Sequence, residues 1–292
     1  VPVVPGGGAD IVARLVADRM GKQLGTTVVV DNKAGGSGTI AALEVARAVP
    51  DGHTLMQCFV ATHSTNPAVF KLRYDPLADV VPVSRAVDLQ VAFFAAPNVP
   101  ANTFAEYVAW VKQDIPNRSV FAIPSEGSIP HFTVMSIAAS AGLPFKPIPY
   151  KGTSPMVTDI LGGHVPVAIN PVADVADHHK AGKLKVFATS GPARNPAAPE
   201  VPTFAELGFK SMIETPWLGM FCAPEVPAAV QAKLHTNLNE MLAQAQIRER
   251  WKDIGLMVPP QPLPTQQALV QTLQTESATQ AKRLAAIGYQ AQ

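Results

Sequence analysis

Two hydrophobic periods alternate along the first two hundred residues, and this alternation constrains the fold more than any other feature. Short β-branched runs at 26–30, 54–60, 89–96, 119–123, 165–169 and 184–189 read as strands. Between them, residues 11–24, 39–49, 104–114, 131–141 and 154–161 carry apolar side chains at helical spacing. Strands that alternate with helices demand mainly parallel sheets with both faces covered, so the chain reads as an α/β protein. Its 292 residues exceed an ordinary single domain and fit two lobes of roughly 100–200 residues each.

The last seventy residues follow a different rule. Val230, Leu234, Leu238, Met241, Leu242 and Ala245 mark one helical face, and Ala268, Leu269, Leu273, Ala281, Leu284 and Ile287 mark another. Pro259, Pro260 and Pro262 separate the two, because proline cannot sit in a helix interior. No strand follows these helices, so they are expected to pack back onto an existing sheet. Proline-rich breaks at 97–100 and 224–227 each follow an apolar strand, the second being 217–223. Read as the crossings between lobes, they assign residues 1–98 with 224–292 to one lobe and 99–223 to the other.

Composition excludes several functions. The net charge is +1 with no basic block, which leaves no electrostatic footprint for nucleic acid. No run approaches the roughly 18 apolar residues of a membrane span. The two cysteines, Cys58 and Cys222, sit inside apolar runs and read as buried free thiols, with a disulfide left open. His178 and His179 point apart on a helix, and the other histidines lack metal-ligand spacing, so no metal is expected. Ser125 is not in a nucleophile-elbow pattern, and no catalytic residue or cofactor is assigned. Glu126 and Asp174 read as solvated surface carboxylates. The segment 36–41 fits a loose dinucleotide fingerprint. It lies too far from the preceding strand, however, and Asp51 falls in a turn rather than at a strand end.

Two turns carry the chemistry. Val1-Pro2-Val3-Val4 reads as the end of a strand, which implies residues upstream, where a removed export signal would sit. It runs into Gly6, Gly7 and Gly8, then Asp10, read as the N-cap of the next helix. Glycines let a ligand approach the main chain, and a helix start offers amide N–H groups and the positive end of its dipole to an anion. A second strand-to-helix turn carries Ser125, Gly127, Ser128 and His131. One such turn per lobe, facing across a cleft, would give both lobes donors for a single anionic group.

The blocks VPVVPGGGADIVAR, DNKAGGSGTIAALEVARAVPDGHTL, NPAVFKLRYDPLADVVPV, IPYKGTSPMVTDILGGHV, AGKLKVFATSGPAR, PEVPTFAELGF and WLGMFCAPEVP follow one another along nearly the whole chain. In this order they resemble the Bug-type periplasmic solute-binding proteins of tripartite tricarboxylate transporters. The resemblance implies a bilobal, type II binding-protein fold, with two mixed sheets flanked by helices around a central cleft. It implies that residues 6–10 and 125–131 grip one carboxylate, and that Ala61, Thr62, Asn66, Tyr150 and Asn170 line the cleft. Val3 departs from the family's frequent aromatic residue and leaves more room. Asn170 stands where amino-acid-binding members have Asp, so the expected ligand lacks an amine: a dicarboxylate, or an aromatic or hydroxy acid. The expected protein is a monomeric periplasmic receptor that hands its solute transiently to membrane transporter subunits. The alternatives are a carboxylate sensor without transport, an α/β enzyme acting on a small acid, and the effector domain of a transcription regulator.

Overall fold

The computed structural model describes residues 1–126, 128–209, 215–259 and 261–286. Among these, eight strands form in chain order: β1 Met56–Phe59, β2 Val81–Asp88, β3 Val91–Ala95, β4 Val120–Ile123, β5 Lys146–Pro149, β6 Val167–Pro171, β7 Lys185–Thr189 and β8 Trp217–Cys222. They make a three-stranded sheet of order β1-β8-β2 and a five-stranded sheet of order β5-β4-β6-β3-β7. The second sheet is mixed: β4 runs parallel to β5 and β6, while β3 runs antiparallel to β6 and β7. Helices cover both sheets, giving the expected α/β architecture. Most pairings, however, are antiparallel rather than the mainly parallel ones the alternation implied, and β8 runs antiparallel to both β1 and β2. The reason is that β3 and β8 each enter their sheet from the part of the chain that forms the other sheet, rather than by a strand–helix–strand crossover. No helix among the described residues is long and apolar enough to cross a membrane.

The chain divides into two compact units. One holds Val1–Asp88, Trp217–Arg250 and Met257–Gln292; the other holds Leu89–Pro216 and Trp251–Leu256. The divisions fall at 88/89 and 216/217, ahead of the proline-rich breaks at 98/99 and 223/224 that the sequence reading used. The reason lies in hydrogen bonding. Strand β3 pairs with β6 and β7 inside the second unit, and β8 pairs with β1 and β2 inside the first. A strand belongs to the sheet that satisfies its amides; the prolines only mark where each strand ends.

In the first unit, β8 is central and all six of its residues are buried, as an unbroken apolar run predicts. The helix Gly8–Leu24 buries Ala9, Val12, Ala13, Val16, Ala17 and Met20 on one face and stops at Gly25, whose φ of 66° suits glycine. The tail helices Ala228–Ala243 and Gln266–Ala286 both pack on β2, as their lack of following strands required. In the second unit, β3 is buried along its whole length. Its Phe93 packs against Phe104, Tyr107 and Phe187, and burying each such ring stabilises the unit by about 1.5–3 kcal/mol.

Some sequence expectations fail for identifiable reasons. Residues 26–30 and 1–4 are not strands, although their composition is right. A strand needs a partner ladder, and among the described residues the pairing begins only where the Val1 ammonium donates to the Asp31 carbonyl (2.7 Å) and Lys33 N–H donates to the Val1 carbonyl (2.8 Å). Val29 accordingly stays 80% exposed. Conversely, β2 and β5 went unread because Pro82, Pro147 and Pro149 interrupt them. Prolines are tolerated in β5 because it is an edge strand, and next to Pro82 the β2 ladder shifts register. Both cysteines are free and buried.

Candidate functional site

The turn of the first unit is built around a buried carboxylate. Gly6 has φ of 93°, a conformation that side chains resist, so glycine is required there. The helix begins at Gly8 with Gly7 as its N-cap, and Asp10 lies in the first turn rather than capping it. That corrects the sequence reading. A glycine cap has no side-chain acceptor to offer the first turn, and the Gly7 carbonyl already takes the N–H groups of Asp10 (2.9 Å) and Ile11 (3.0 Å).

Asp10 instead reaches back along the chain. Its Oδ2 accepts from Gly6 N–H at 3.0 Å and from Arg14 Nε at 2.9 Å. Its Oδ1 accepts from Arg14 Nη2 at 3.1 Å and from Asn32 Nδ2 at 2.9 Å, and the same Asn32 amide donates to the Val3 carbonyl at 3.0 Å. Burial opposes ionisation of Asp10, but the hydrogen bonds from Arg14, Gly6 and Asn32 outweigh it and hold the carboxyl below its ordinary pKa. Asp10 is therefore a positioning residue for the turn. Arg14 and Asn32 escaped the sequence reading; the Asp10–Arg14 spacing of four on a helix was the available signal.

A second group of loops joins this turn within the unit. Gly35, Gly36, Ser37 and Gly38 all have positive φ, which turns the Ser37 carbonyl toward the Asn66 amide (2.8 Å). A Cβ on Gly38 would meet Thr62 Oγ1 at 3.1 Å and Pro2 at 3.4 Å, so these three residues are in touch. The segment that resembled a dinucleotide fingerprint is thus a packed turn holding Asn66. Thr62 and Asn66 are buried on the short helices Ala61–Ser64 and Asn66–Val69, and Ala61 is half-buried beside them. Between them, His63 has no exposed surface, stacks on Phe221 at 4.0 Å and donates Nε2–H to the Val80 carbonyl at 3.1 Å. Burial pushes its pKa down to about 4.

In the second unit the predicted residues gather at one end of the sheet. Strands β4, β5 and β6 are parallel neighbours, and each ends in a loop that carries predicted residues. The carboxyl ends of parallel strands are where open α/β sheets place their ligands. After β4, Ser128 caps the helix Ile129–Ala141: its Oγ accepts from His131 N–H at 3.3 Å and donates to the Ser125 carbonyl at 2.7 Å. Gly127 lies outside the described residues. His131 is buried, which lowers its pKa against the opposing pull of Glu126, so its ring is neutral at pH 7.

After β5, Tyr150 N–H donates to the Ile123 carbonyl and Gly152 N–H to the Pro124 carbonyl, both at 2.9 Å, which ties this loop to the one after β4. The Tyr150 hydroxyl donates to Asp159 at 2.6 Å, and burial together with that carboxylate raises its pKa to about 12. Asn170 ends up differently from the expectation. It sits in β6 with no exposed surface, and its Nδ2 donates to Asp174 Oδ2 at 2.5 Å and to Thr153 Oγ1 at 3.1 Å. Asp174, read from sequence as a solvated carboxylate, is half-buried and fixed by that amide.

Each unit thus carries a helix start reached through a tight turn, with neutral donors held in place by buried partners. That arrangement suits a small anion. Comparison with known proteins shows the family. Residues 12–288 match the family model described as the tripartite tricarboxylate transporter family receptor. The periplasmic binding protein BugD has a similar structure, with a TM-score of 0.93 and 31% identity, covering 100% of this chain and 97% of BugD. MatC from Rhodopseudomonas palustris, solved with bound malate, gives 0.89 and 29% identity, with 97% of each chain covered. A further R. palustris protein, solved with adipate, gives 0.94 and 26% identity, covering 100% of this chain and 97% of its own. The chain belongs to the tripartite tricarboxylate transporter receptor family, the solute-binding proteins of that transport system.

Proposed function

We propose that this protein is a periplasmic receptor that captures a small carboxylate, a dicarboxylate or a hydroxy or aromatic acid, and passes it to a membrane transporter. The observation that carries the reading is the pair of donor turns, one at Gly6, Gly7, Gly8 and one at Ser125, Ser128, each leading into a helix N-terminus. Backbone N–H groups at such a start, together with the helix dipole, favour a carboxylate by about 0.3–1 kcal/mol from the dipole alone and more where water is excluded. Thr62, Asn66, Tyr150 and the loop at Asn170 supply the further polar groups that orient the rest of the molecule. Relatives solved with malate and adipate support a dicarboxylate of four to six carbons.

The action is reversible binding without turnover or cofactor. The periplasmic setting rests on the likeness to BugD and on family membership. Calorimetric titration of the purified protein against a panel of acids, including succinate, malate, adipate and benzoate, tests the reading. Dissociation constants at or below the micromolar range for at least one member support it. Failure of every carboxylate, alongside a folded protein by thermal unfolding, sinks it.

A further inference from the structure

The position that sequence comparison singles out, Asn170, is not where a ligand can be read. Asn170 has no exposed surface, and a buried amide is costly unless its hydrogen bonds are made. Its Nδ2 is committed to Asp174 at 2.5 Å and Thr153 at 3.1 Å, with the Thr153 hydroxyl 3.5 Å from its Oδ1. Both partners are only half-buried. Thr153 begins the helix Thr153–Leu161 after Gly152, and Asp174 closes the short turn Val172–Asp174 that follows β6. Asn170 therefore couples the loop after β5 to the loop after β6, at the carboxyl end of the sheet where the second unit's candidate residues gather.

We infer that Asp174 is a specificity-determining residue and Asn170 the positioning residue that aims it, so that the preferred ligand carries a hydrogen-bond donor, a hydroxyl or an ammonium, at the point that meets Asp174. This inference rests on the carboxylate-receptor reading and deepens it. An ionised carboxylate is acceptor-only, and it can accept from several donors at once. Joined through Asn170 to Thr153 at the start of the helix Thr153–Leu161, which favours the ligand's own carboxylate, Asp174 repels a second carboxylate and rewards a donor. A plain dicarboxylate meets it with methylene hydrogens and leaves its oxygens unmatched. The Asp-to-Asn difference at 170 then does not remove negative charge from the site; the charge stands four residues later.

The test compares acids that differ only at C2: succinate, malate and aspartate on the four-carbon frame, and adipate, 2-hydroxyadipate and 2-aminoadipate on the six-carbon frame. Titration of the wild-type protein should show at least one donor-bearing acid binding more than tenfold tighter than its unsubstituted parent. Whether the hydroxyl or the amine member wins identifies the donor. Asp174→Asn should shrink that preference to threefold or less, by weakening the donor-bearing acid and relieving the repulsion of the unsubstituted one. Asn170→Ser, which loosens the aim of Asp174, should shrink it partway, a selective change between paired acids that a uniform structural loss of affinity does not produce. A wild-type protein that binds the unsubstituted acids as well as the substituted ones overturns the inference and leaves the receptor reading intact, and this holds even if Asp174→Asn fails to fold. An unchanged preference in a folded Asp174→Asn variant overturns it equally. Binding of no acid on either frame overturns the inference, and it overturns the receptor reading as well when benzoate also fails to bind the folded protein.

Discussion

The two donor turns solve the same problem with different materials. In the first unit the turn is made of glycine and held from behind by an ionised group: Asp10 collects Gly6, Arg14 and Asn32. In the second unit the described part of the turn is held by a hydroxyl of its own, Ser128 bonding Ser125 and His131. A glycine turn brings no side chain to restrain itself, so it needs an external clamp. A turn that holds a serine carries its clamp within it. The consequence is that the first turn concentrates its stability in one buried carboxylate, whereas the second spreads its stability over several neutral bonds.

The largest expected effect that separates the units is acid sensitivity. Below its ordinary pKa of about 6.5, His63 takes a proton readily in the unfolded chain, but in the folded protein only near 4. Its contribution to stability is therefore full above pH 6.5 and falls as pH drops from 6.5 toward 4, by about 3 kcal/mol in all. Urea unfolding of wild type and His63→Gln at pH 7.5, 5.5 and 4.5 measures this. The variant should lose most of the pH dependence in that window, and His131→Gln should keep most of it. Equal flattening by both variants breaks the distinction.

Removal of the clamp comes next. Asp10→Ala leaves the Gly6 N–H without its acceptor and Asn32 with only the Val3 carbonyl, and should cost about 2–3 kcal/mol, with the half-exposed Arg14 pair adding little. Carboxylate affinity should fall by more than tenfold, and calorimetry together with chemical unfolding would show it. Gly6→Ala forces a side chain into φ of 93°, a strain of about 1–2 kcal/mol, with a similar loss of binding. Ser128→Ala removes a helix cap and should cost about 1 kcal/mol, with a smaller loss of affinity. If Ser128→Ala proves as damaging as Asp10→Ala, the two turns are not built differently in energetic terms. The smallest effect belongs to Tyr150→Phe, which loses one hydroxyl bond to Asp159 and about 1 kcal/mol or less.

Much of this was legible in the order of residues. The two hydrophobic periods announced strands and helices, the unbroken apolar runs became the buried strands β3 and β8, and the three glycines marked a turn before a helix. Those signals are local, set by the geometry of a few neighbouring residues. The sequence could not say whether residues 26–30 would find a ladder, because strand formation depends on a partner far along the chain. It could not place the divisions between units by pairing, since membership of a sheet is decided by hydrogen bonds rather than by prolines. It cast Asp10 as a cap and Asp174 as surface. Only the tertiary structure brought Gly6 and Asn32 to Asp10, and buried Asn170 against Asp174. A carboxylate's role is fixed by the donors around it, and those donors arrive from other elements once the chain has folded.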